Sequence, residues 1–487
     1  MTTEIDAVDR REDALDPRRW WALTVISVAT LMVVLDASVI NIALPHAQAD
    51  LDISDANRQW AVTAYALAFG GLLLLGGRVV DFAGRKRVFL IGLVGFAAAS
   101  MLAGIAPNGM TLFAGRALQG VFAALLAPAA LSLIAVTFTD PRERAKAFGV
   151  YGALQGAGGA VGLIAGGLLT EYTSWRWCLF VNTPIALAVA LAALPVLKES
   201  RAEGPRRYDI PGALLVTTGL VAVVWGFTHA AEAGWSTPAT WLLLAAGLAL
   251  LASFVLVEQR TAHPLLPLRV IWDRDRGGAF LASLLIGAGM FGLLLFLTYY
   301  LQVNLGYQPL RAGLAFLPFS AGIIAAATFG APLVTRLGPK TLMTAGTAVT
   351  LAGTLVLTLL KPTEGYMTVV LPAMILTGLG LGAFFVALPN TALAGIAPSD
   401  TGVASAMIST TQQVGGAVGP ALLNTLYVSA LTGFLADRTG AVSQAVRLEG
   451  YVHGYRVAFL ASAALFALAL AAAGLLITSR RTSAATS

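Results

Sequence analysis

Asp36 and Arg116 are the residues of this chain whose types and positions most suggest chemistry. Of its 25 Asp and Glu residues, nearly all fall in tails or between apolar runs. Only Asp36 lies well inside a long apolar stretch, eight residues before Leu44, or ~12 Å along a helix at about 1.5 Å per residue. A charged group at that depth in lipid is costly, so it must face a cavity or a partner. Burial favours the neutral acid and a nearby cation favours the carboxylate. An acid held between those two pulls can load and release a proton as its surroundings change. Arg116 is six residues into another apolar stretch that begins near Met110, ~9 Å deep by the same rise and close to level with Asp36. Gln119 and Gly120 share its helical face at i+3 and i+4. The plainer reading of the pair is a fixed ion bridge that ties two helices together.

The elements that would position these groups follow from composition. Hydrophobic residues make up 57% of 487 positions, charged residues 11%, and the mean hydropathy is +0.78. Soluble domains carry about 25% charged residues, so the chain is expected to be an all-α protein embedded in a lipid bilayer. Stretches of about 20 apolar residues occur fourteen times, at 20–44, 59–77, 88–106, 110–137, 147–170, 177–197, 210–230, 239–257, 278–301, 310–334, 341–360, 368–392, 403–430 and 454–478. An even number puts both termini on one side. Regions on the terminal side hold 23 of the 31 Lys and Arg. The opposite side holds 7, namely Arg58, Arg176, Arg311, Lys361, Arg438, Arg447 and Arg456. That asymmetry predicts cytoplasmic termini.

The net charge of +6 sits in short loops between spans, which argues against nucleic acid as a partner. The single cysteine, Cys178, excludes an internal disulfide, and no Cys/His cluster has metal-ligand spacing. The first apolar run is too long for a signal-peptide core, so no cleavable leader is expected.

Between the second and third spans lies Gly77-Arg-Val-Val-Asp81-Phe-Ala-Gly84-Arg85-Lys86-Arg87. Its glycines allow a tight reversal, and Asp81 beside the basic cluster allows charge-assisted bonds that lock in one conformation and release in another. A simple basic anchor is the alternative. The fifth span carries Gly158, Gly162, Gly166 and Gly167, a spacing that permits close helix packing. Six spans in 20–197 and six in 278–478 suggest an internal duplication facing a midplane cavity. A two-span insertion with its linkers occupies 198–277, and short tails occupy 1–19 and 479–487. The segment Ala331-Pro-Leu-Val-Thr335-Arg336-Leu-Gly338-Pro-Lys340 reads as a decayed copy of the Asp81 turn.

These motifs resemble those of the major facilitator superfamily, and of its fourteen-span drug:proton antiporters in particular. The Asp81 turn resembles the loop 2–3 signature, and Arg116-Ala-Leu-Gln119-Gly120 the fourth-helix motif R-x-x-Q-G. Leu35-Asp36-Ala-Ser38-Val-Ile-Asn41-Ile-Ala43-Leu44-Pro45 is similar to L-D-x-T-x-V-N-x-A-L-P, with serine for threonine. Ser174-Trp175-Arg176-Trp177 with Asn182-Thr-Pro184, and Tyr299-Tyr300-Leu-Gln302 with Gly306-Tyr307 and Leu317-Pro318, extend the likeness along nearly the whole chain. The fifth-span glycines resemble G-x-x-x-G-P-x-x-G-G, except that Leu163 stands in place of proline. That removes an expected kink, which Gly415, Gly419 and Pro420 of the thirteenth span are expected to supply instead.

The resemblance implies two six-helix bundles plus two central helices, and proton-coupled export of lipophilic small molecules or drugs, antibiotics among them. It implies the cytoplasmic membrane of a bacterium, no cofactor beyond the proton gradient, and a monomer. Asp36 and Arg116 would couple protons; Gly77, Asp81, Gly84, Arg85 and Lys86 would form a gating latch. Substrate would meet Asn41, Gln119, Phe291, Phe296, Tyr299, Phe384, Phe385, Asn390, Gln412 and Gln413 in the cavity. A symporter or uniporter on the same fold is the alternative. A polytopic membrane enzyme would need paired acids or a metal site that the sequence does not offer, and no G-x-x-x-x-G-K-[ST] loop for ATP is present.

Overall fold

A computed structural model of the chain describes residues 18–138, 140–201, 209–261, 264, 266, 268–362, 366–394, 401–436 and 443–478. The side chains of Asp81 and Thr335 lie outside the described residues. Among the described residues the regular structure is entirely helical. Apolar backbone without water satisfies its N–H and C=O groups most completely within a helix.

The N-terminal half comprises α1 (Arg18–Asp50), α2 (Trp60–Ala83), α3 (Arg85–Gly104), α4 (Gly109–Thr137), α5 (Pro141–Tyr172), and the short α6 (Trp177–Phe180) followed by α7 (Asn182–Val196). The insertion forms α8 (Ile210–Ala233) and α9 (Pro238–Arg260), with a linker helix α10 (Leu268–Trp272). The C-terminal half holds α11 (Arg274–Tyr299), continued by a π-turn at Tyr300–Asn304, then α12 (Pro309–Ala315), α13 (Leu317–Leu337), α14 (Pro339–Leu357), α15 (Val370–Ala392), α16 (Thr401–Ala436) and α17 (Gln444–Leu475). Each expected span coincides with a helix or a pair of short ones. Twelve are long and apolar enough to cross a membrane, while the apolar described parts of α2 and α5 are shorter, Trp60–Leu73 and Val161–Tyr172. Length and hydropathy thus support the membrane-spanning bundle without establishing a count of fourteen.

Several boundaries differ from expectation because polar residues extend helices past the apolar core. Helix α1 runs on to Asp50, beyond Leu44, and α17 starts at Gln444, where Ser443 caps it by accepting from the N–H of Val446. In the thirteenth span α16 is a single helix with Pro420 inside it, so the chain does not break there. Gly84 and Gly338, at matching places in the two halves, both have positive φ, +112° and +83°, and each donates its N–H to the carbonyl four residues back. A side chain with a Cβ would be strained there, which supports reading the second turn as a copy of the first.

Close helix contact replaces water-driven burial as the cohesive force in lipid. A Cβ on Gly76 would sit 2.0 Å from the carbonyl oxygen of Ala124, so α2 and α4 touch backbone to backbone. In the other half, Gly415 and Gly419 of α16 bring that helix against the carbonyls of Leu284 and Ala288 on α11. Buried hydroxyls such as Thr347, Thr350 and Thr377 donate to carbonyls one turn back in their own helices. Helix α8 lies over the seam between α2 and α16, where Leu220 and Val224 pack with Ala66, Leu67, Ala417 and Ala421.

The two halves meet on the face opposite the termini, here the far face. Tyr299 donates to Oε1 of Gln48, Gln302 to the carbonyl of Ile42, and the N–H of Leu310 to Glu171. Helices α5 and α12 interlock there: a Cβ on Gly313 would lie 2.4 Å from the Leu163 carbonyl, and one on Gly167 would lie 2.6 Å from Leu310 Cα. Gly76→Ala is expected to cost about 1–3 kcal/mol through forced helix separation, seen as a lower melting temperature of detergent-purified protein. Gly474→Ala, with nothing within 4 Å of the added carbon, is expected to leave that temperature unchanged.

Candidate functional site

Asp36 sits in α1 and Arg116 in α4, and both are only 1% exposed. Arg116 Nη1 donates to Asp36 Oδ2 at 2.5 Å. The second carboxylate oxygen, Oδ1, accepts from Gln119 Nε2 at 2.9 Å and from Asn182 Nδ2 at 2.7 Å. The guanidinium also donates from Nε to the Ala61 carbonyl at 2.8 Å and from Nη1 to Gln119 Oε1 at 2.8 Å. Its face lies 4.5 Å from the ring centre of Tyr65, a cation–π contact that is strong where water is excluded. Gln119 Nε2 donates further to Ser100 at 2.7 Å. Four helices, α1, α2, α4 and α7, therefore converge on one carboxylate–guanidinium pair, and α3 buttresses it through Ser100.

Local sequence explains the convergence. Gly120 lets α4 approach α2, since a Cβ there would lie 2.4 Å from the Tyr65 carbonyl. Gly158, Gly162 and Gly166 seat α5 on α1 at Val34, Ser38 and Val39, which turns Asp36 away from α5. The break between α6 and α7 falls at Val181 and sends Asn182 inward. Trp175 and Arg176 hold that junction, each donating to Asp50 Oδ2 at 3.0 Å, and Arg176 also reaches the carbonyls of Gly104 and Ala106. Asn182 is the site residue that reading for ionisable groups passes over, although it stands in a recognisable motif. Its neutral amide becomes significant only once α7 is packed. The hydroxyl of Tyr65 is buried without a hydrogen-bond partner among the described residues.

The charged turn after α2 is arranged differently from a simple latch. Glu199, beyond α7, accepts from the backbone N–H groups of Lys86 at 3.2 Å and Arg87 at 3.0 Å, satisfying orphan donors at the start of α3. Arg85 bonds Ser200 through both its backbone and its guanidinium, and Lys86 Nζ donates to the Leu194 carbonyl at 2.6 Å. Gly84 suits this turn because its φ is +112°, and a Cβ would also fall 2.7 Å from Glu199 Oε1. Gly77 faces Pro128 with room to spare. The described contacts of Gly84, Arg85 and Lys86 are thus to the end of the same half, and the expected role of Asp81 rests on a side chain outside the described residues.

The residues expected to line a substrate cavity are dispersed. Asn41 is buried and donates back to the Ala37 carbonyl of its own helix, and Gln119 belongs to the ion-pair network. Phe291 lies against α16 at Gly416, and Gln413 against α2 at Gly70. Gln412 is on α16, where its backbone abuts Gly287 of α11. Phe384 and Phe385 stack edge to face on α15, and Asn390 is exposed and donates to the Val386 carbonyl. A cavity of about 160 Å³ lies instead between α2, α8, α9, α11 and α16, lined by Gly70, Gly71, Val216, Phe254, Leu266, Leu284, Met407, Thr410, Thr411 and Val414. None of the expected lining residues borders it. Phe291, Phe384 and Gln413 are engaged with neighbouring helices or rings, whereas Asn390 is exposed.

Phe296 and Tyr299 face Arg58, from the loop between α1 and α2. Arg58 is 2% exposed, and its guanidinium carbon lies 4.1 Å from the ring centre of Tyr299, 4.5 Å from Tyr427 and 5.7 Å from Phe296. Its Nε donates to Asn424 Oδ1 at 3.4 Å and its Nη1 pairs with Asp55 at 3.3 Å. Asn424 in return donates to the carbonyls of Asp55 and Ala56 and to Gln59 Oε1. An N-terminal loop is thereby plugged into the C-terminal half.

Residues 26–420 match the Major Facilitator Superfamily. The chain belongs to that superfamily. This superfamily member is 51% identical over 468 residues to the puromycin resistance protein pur8 of Streptomyces alboniger, covering 96% of this chain and 92% of that protein. It is 39% identical to the cephamycin export protein CmcT of Amycolatopsis lactamdurans, over 85% of this chain and 86% of the relative. It is 32% identical to the multidrug efflux pump LfrA of Mycolicibacterium smegmatis, over 88% and 86% respectively. Among solved structures, a bacterial homolog of the human lysosomal transporter Spinster, inward-facing and unoccupied, superimposes with a TM-score of 0.67 at 16% identity, covering 95% of this chain and 97% of the other. That likeness concerns the superfamily fold.

Removing one member of a buried ion pair leaves the other charge uncompensated, at about 3–5 kcal/mol. Arg116→Leu is therefore expected to lower the melting temperature sharply. Adding Asp36→Asn to it is expected to recover part of the loss. Simple additivity of the two single effects in a thermal-melt cycle would show that the groups do not interact.

Proposed function

We propose that this protein is a proton-coupled antiporter that exports lipophilic small molecules, antibiotics among them, across the cytoplasmic membrane of a bacterium. The observation that carries the reading is a buried carboxylate–guanidinium pair, both carboxylate oxygens hydrogen-bonded, deep in a bundle whose halves close on the far face. The similarity to proteins of puromycin resistance, cephamycin export and multidrug efflux supports the direction of transport. Both termini lie in the cytoplasm on this reading, and one chain carries the whole transport path. The proton gradient is the energy source.

The chemistry follows from the donors around Asp36. With the far face open, a proton from outside adds to a carboxylate oxygen and cancels the negative charge that faces Arg116. The guanidinium keeps the Ala61 carbonyl, Gln119 Oε1 and the Tyr65 ring, so its charge stays solvated by protein when its counterion is lost. Gln119 and Asn182 donate more weakly to a neutral acid than to a carboxylate, so α1 is held less firmly against α4 and α7. The halves then rock, the turn at Asp81 releases, and the proton leaves toward the cytoplasm as cargo is taken up. Alternating access of this kind needs a ligand that interacts differently with the two states. Here the proton changes the buried ion pair that joins α1 to α4.

Leu163 is the observation that favours a symporter, because α5 lacks the antiporter proline and is assigned as one continuous helix. The direction of the pH change when cargo is added to proteoliposomes separates the two: a proton released from the lumen during uptake indicates exchange. In everted vesicles, Asp36→Asn is expected to lower uphill drug accumulation at least about tenfold while leaving membrane insertion intact. Full pH-dependent accumulation by that variant would defeat the proton-coupling role. Asp81→Asn is expected to slow turnover without altering the direction of transport, and an unchanged rate would reduce the turn to an anchor.

A further inference from the structure

The aromatic box that encloses Arg58 has no part in the proton chemistry, yet it is built to hold a cation. Phe296 and Tyr299 come from α11 and Tyr427 from α16. Two of the walls pack on each other: Tyr427 stacks on Phe296 at 5.3 Å and on Tyr455 at 5.3 Å, independently of Arg58, while the Tyr299 hydroxyl donates to Gln48. We propose that this box is a binding site for an organic monocation with spread charge, a guanidinium or quaternary ammonium group, and that Arg58 occupies it while the far face is closed.

The guanidinium of Arg58 sets the chemical class that these rings can hold. Three π faces meet its charge, and each such contact is worth most where water is excluded. Among the described residues the carboxylate paired with it is Asp55, which is on the same loop as Arg58 and whose side chain is 39% exposed. When the halves part on the far face, Arg58 and Asp55 leave together. What remains on the C-terminal half is an uncharged aromatic pocket with the Asn424 carbonyl oxygen free to accept a hydrogen bond.

Arg58 also fits its box incompletely: Nη2 is buried without a partner among the described residues, which lowers the cost of its departure. Arg58 then acts as a tethered competitor. Closure of the far face delivers it to the box at high effective concentration and displaces any bound cation outward. Arg58 is three residues before Ala61, whose carbonyl accepts from Arg116. As a release site for cationic cargo, the box rests on the export reading above; as a cation site, it does not.

The test uses the purified full chain and methylguanidinium as probe. Arg58→Ala empties the box; Arg58→Gln, which keeps the reach to Asn424 without charge, serves where the alanine variant does not fold. Millimolar methylguanidinium is expected to raise the melting temperature of these variants by on the order of 2 °C. It is expected to leave unshifted the wild type, whose box is filled, and the Arg58→Ala/Tyr427→Leu double variant, whose box is broken. No shift in either Arg58 variant would overturn the site. So would an equal shift in the wild type, or one that persists without Tyr427. Failure of transport in vesicles would count against export alone, since the melting shift requires no transport.

Discussion

The arrangement depends on a single carboxylate that cannot be left alone. In a medium without water, Asp36 needs a countercharge and donors for both oxygens. The chain supplies Arg116, Gln119 and Asn182 from two different helices. Arg116 in turn needs acceptors, which come from α2 and α4, and a π face, which comes from Tyr65. Satisfying one acid thus fixes the relative positions of α1, α2, α4 and α7. The small residues that allow the approach, Gly120 on α4 and the glycines of α5, belong to the same requirement, because longer side chains would hold the donors out of reach.

Helix α2 links that pair to the rest of the molecule. At its start, the preceding loop inserts Arg58 among aromatic rings of the other half. One turn on, its Ala61 carbonyl holds Arg116. Thr63 donates to the Ala417 carbonyl on α16, and Gly70 packs on Gln413. At its far end it turns at Gly84, where Glu199 caps the next helix. A helix is stiff along its axis, so a change at the ion pair reaches both the seam and the turn through one element. Helix α8 covers this seam, with Thr217 donating to the Gly71 carbonyl and Thr228 accepting from Gln59. The insertion is therefore a buttress of the α2–α16 contact as well as an extra pair of spans.

The closed far face accounts for the scatter of the expected cargo-contacting residues. Phe296, Tyr299 and Gln413 lie where the halves touch, so in this arrangement they contact protein. Aromatic residues near the seam can line a path in one state and plug it in the other. Their sequence positions carry no information about which state is populated, because the same side chains have low energy in both roles.

What the sequence alone determined is set by solvent. Apolar runs of a given length must be helices in lipid, a lone buried acid must find a cation, and basic residues accumulate on one side. Those constraints made the helical bundle, the pairing of Asp36 with Arg116 and the turn at Gly84 legible without coordinates. Tertiary structure decided which neutral groups complete each site. Asn182 and the Ala61 carbonyl join the ion pair, Glu199 caps α3, and Arg58 sits among the aromatic rings of the other half. Amides, carbonyls and rings are abundant and individually cheap to place, so only the packing of distant helices determines which of them meet a charge.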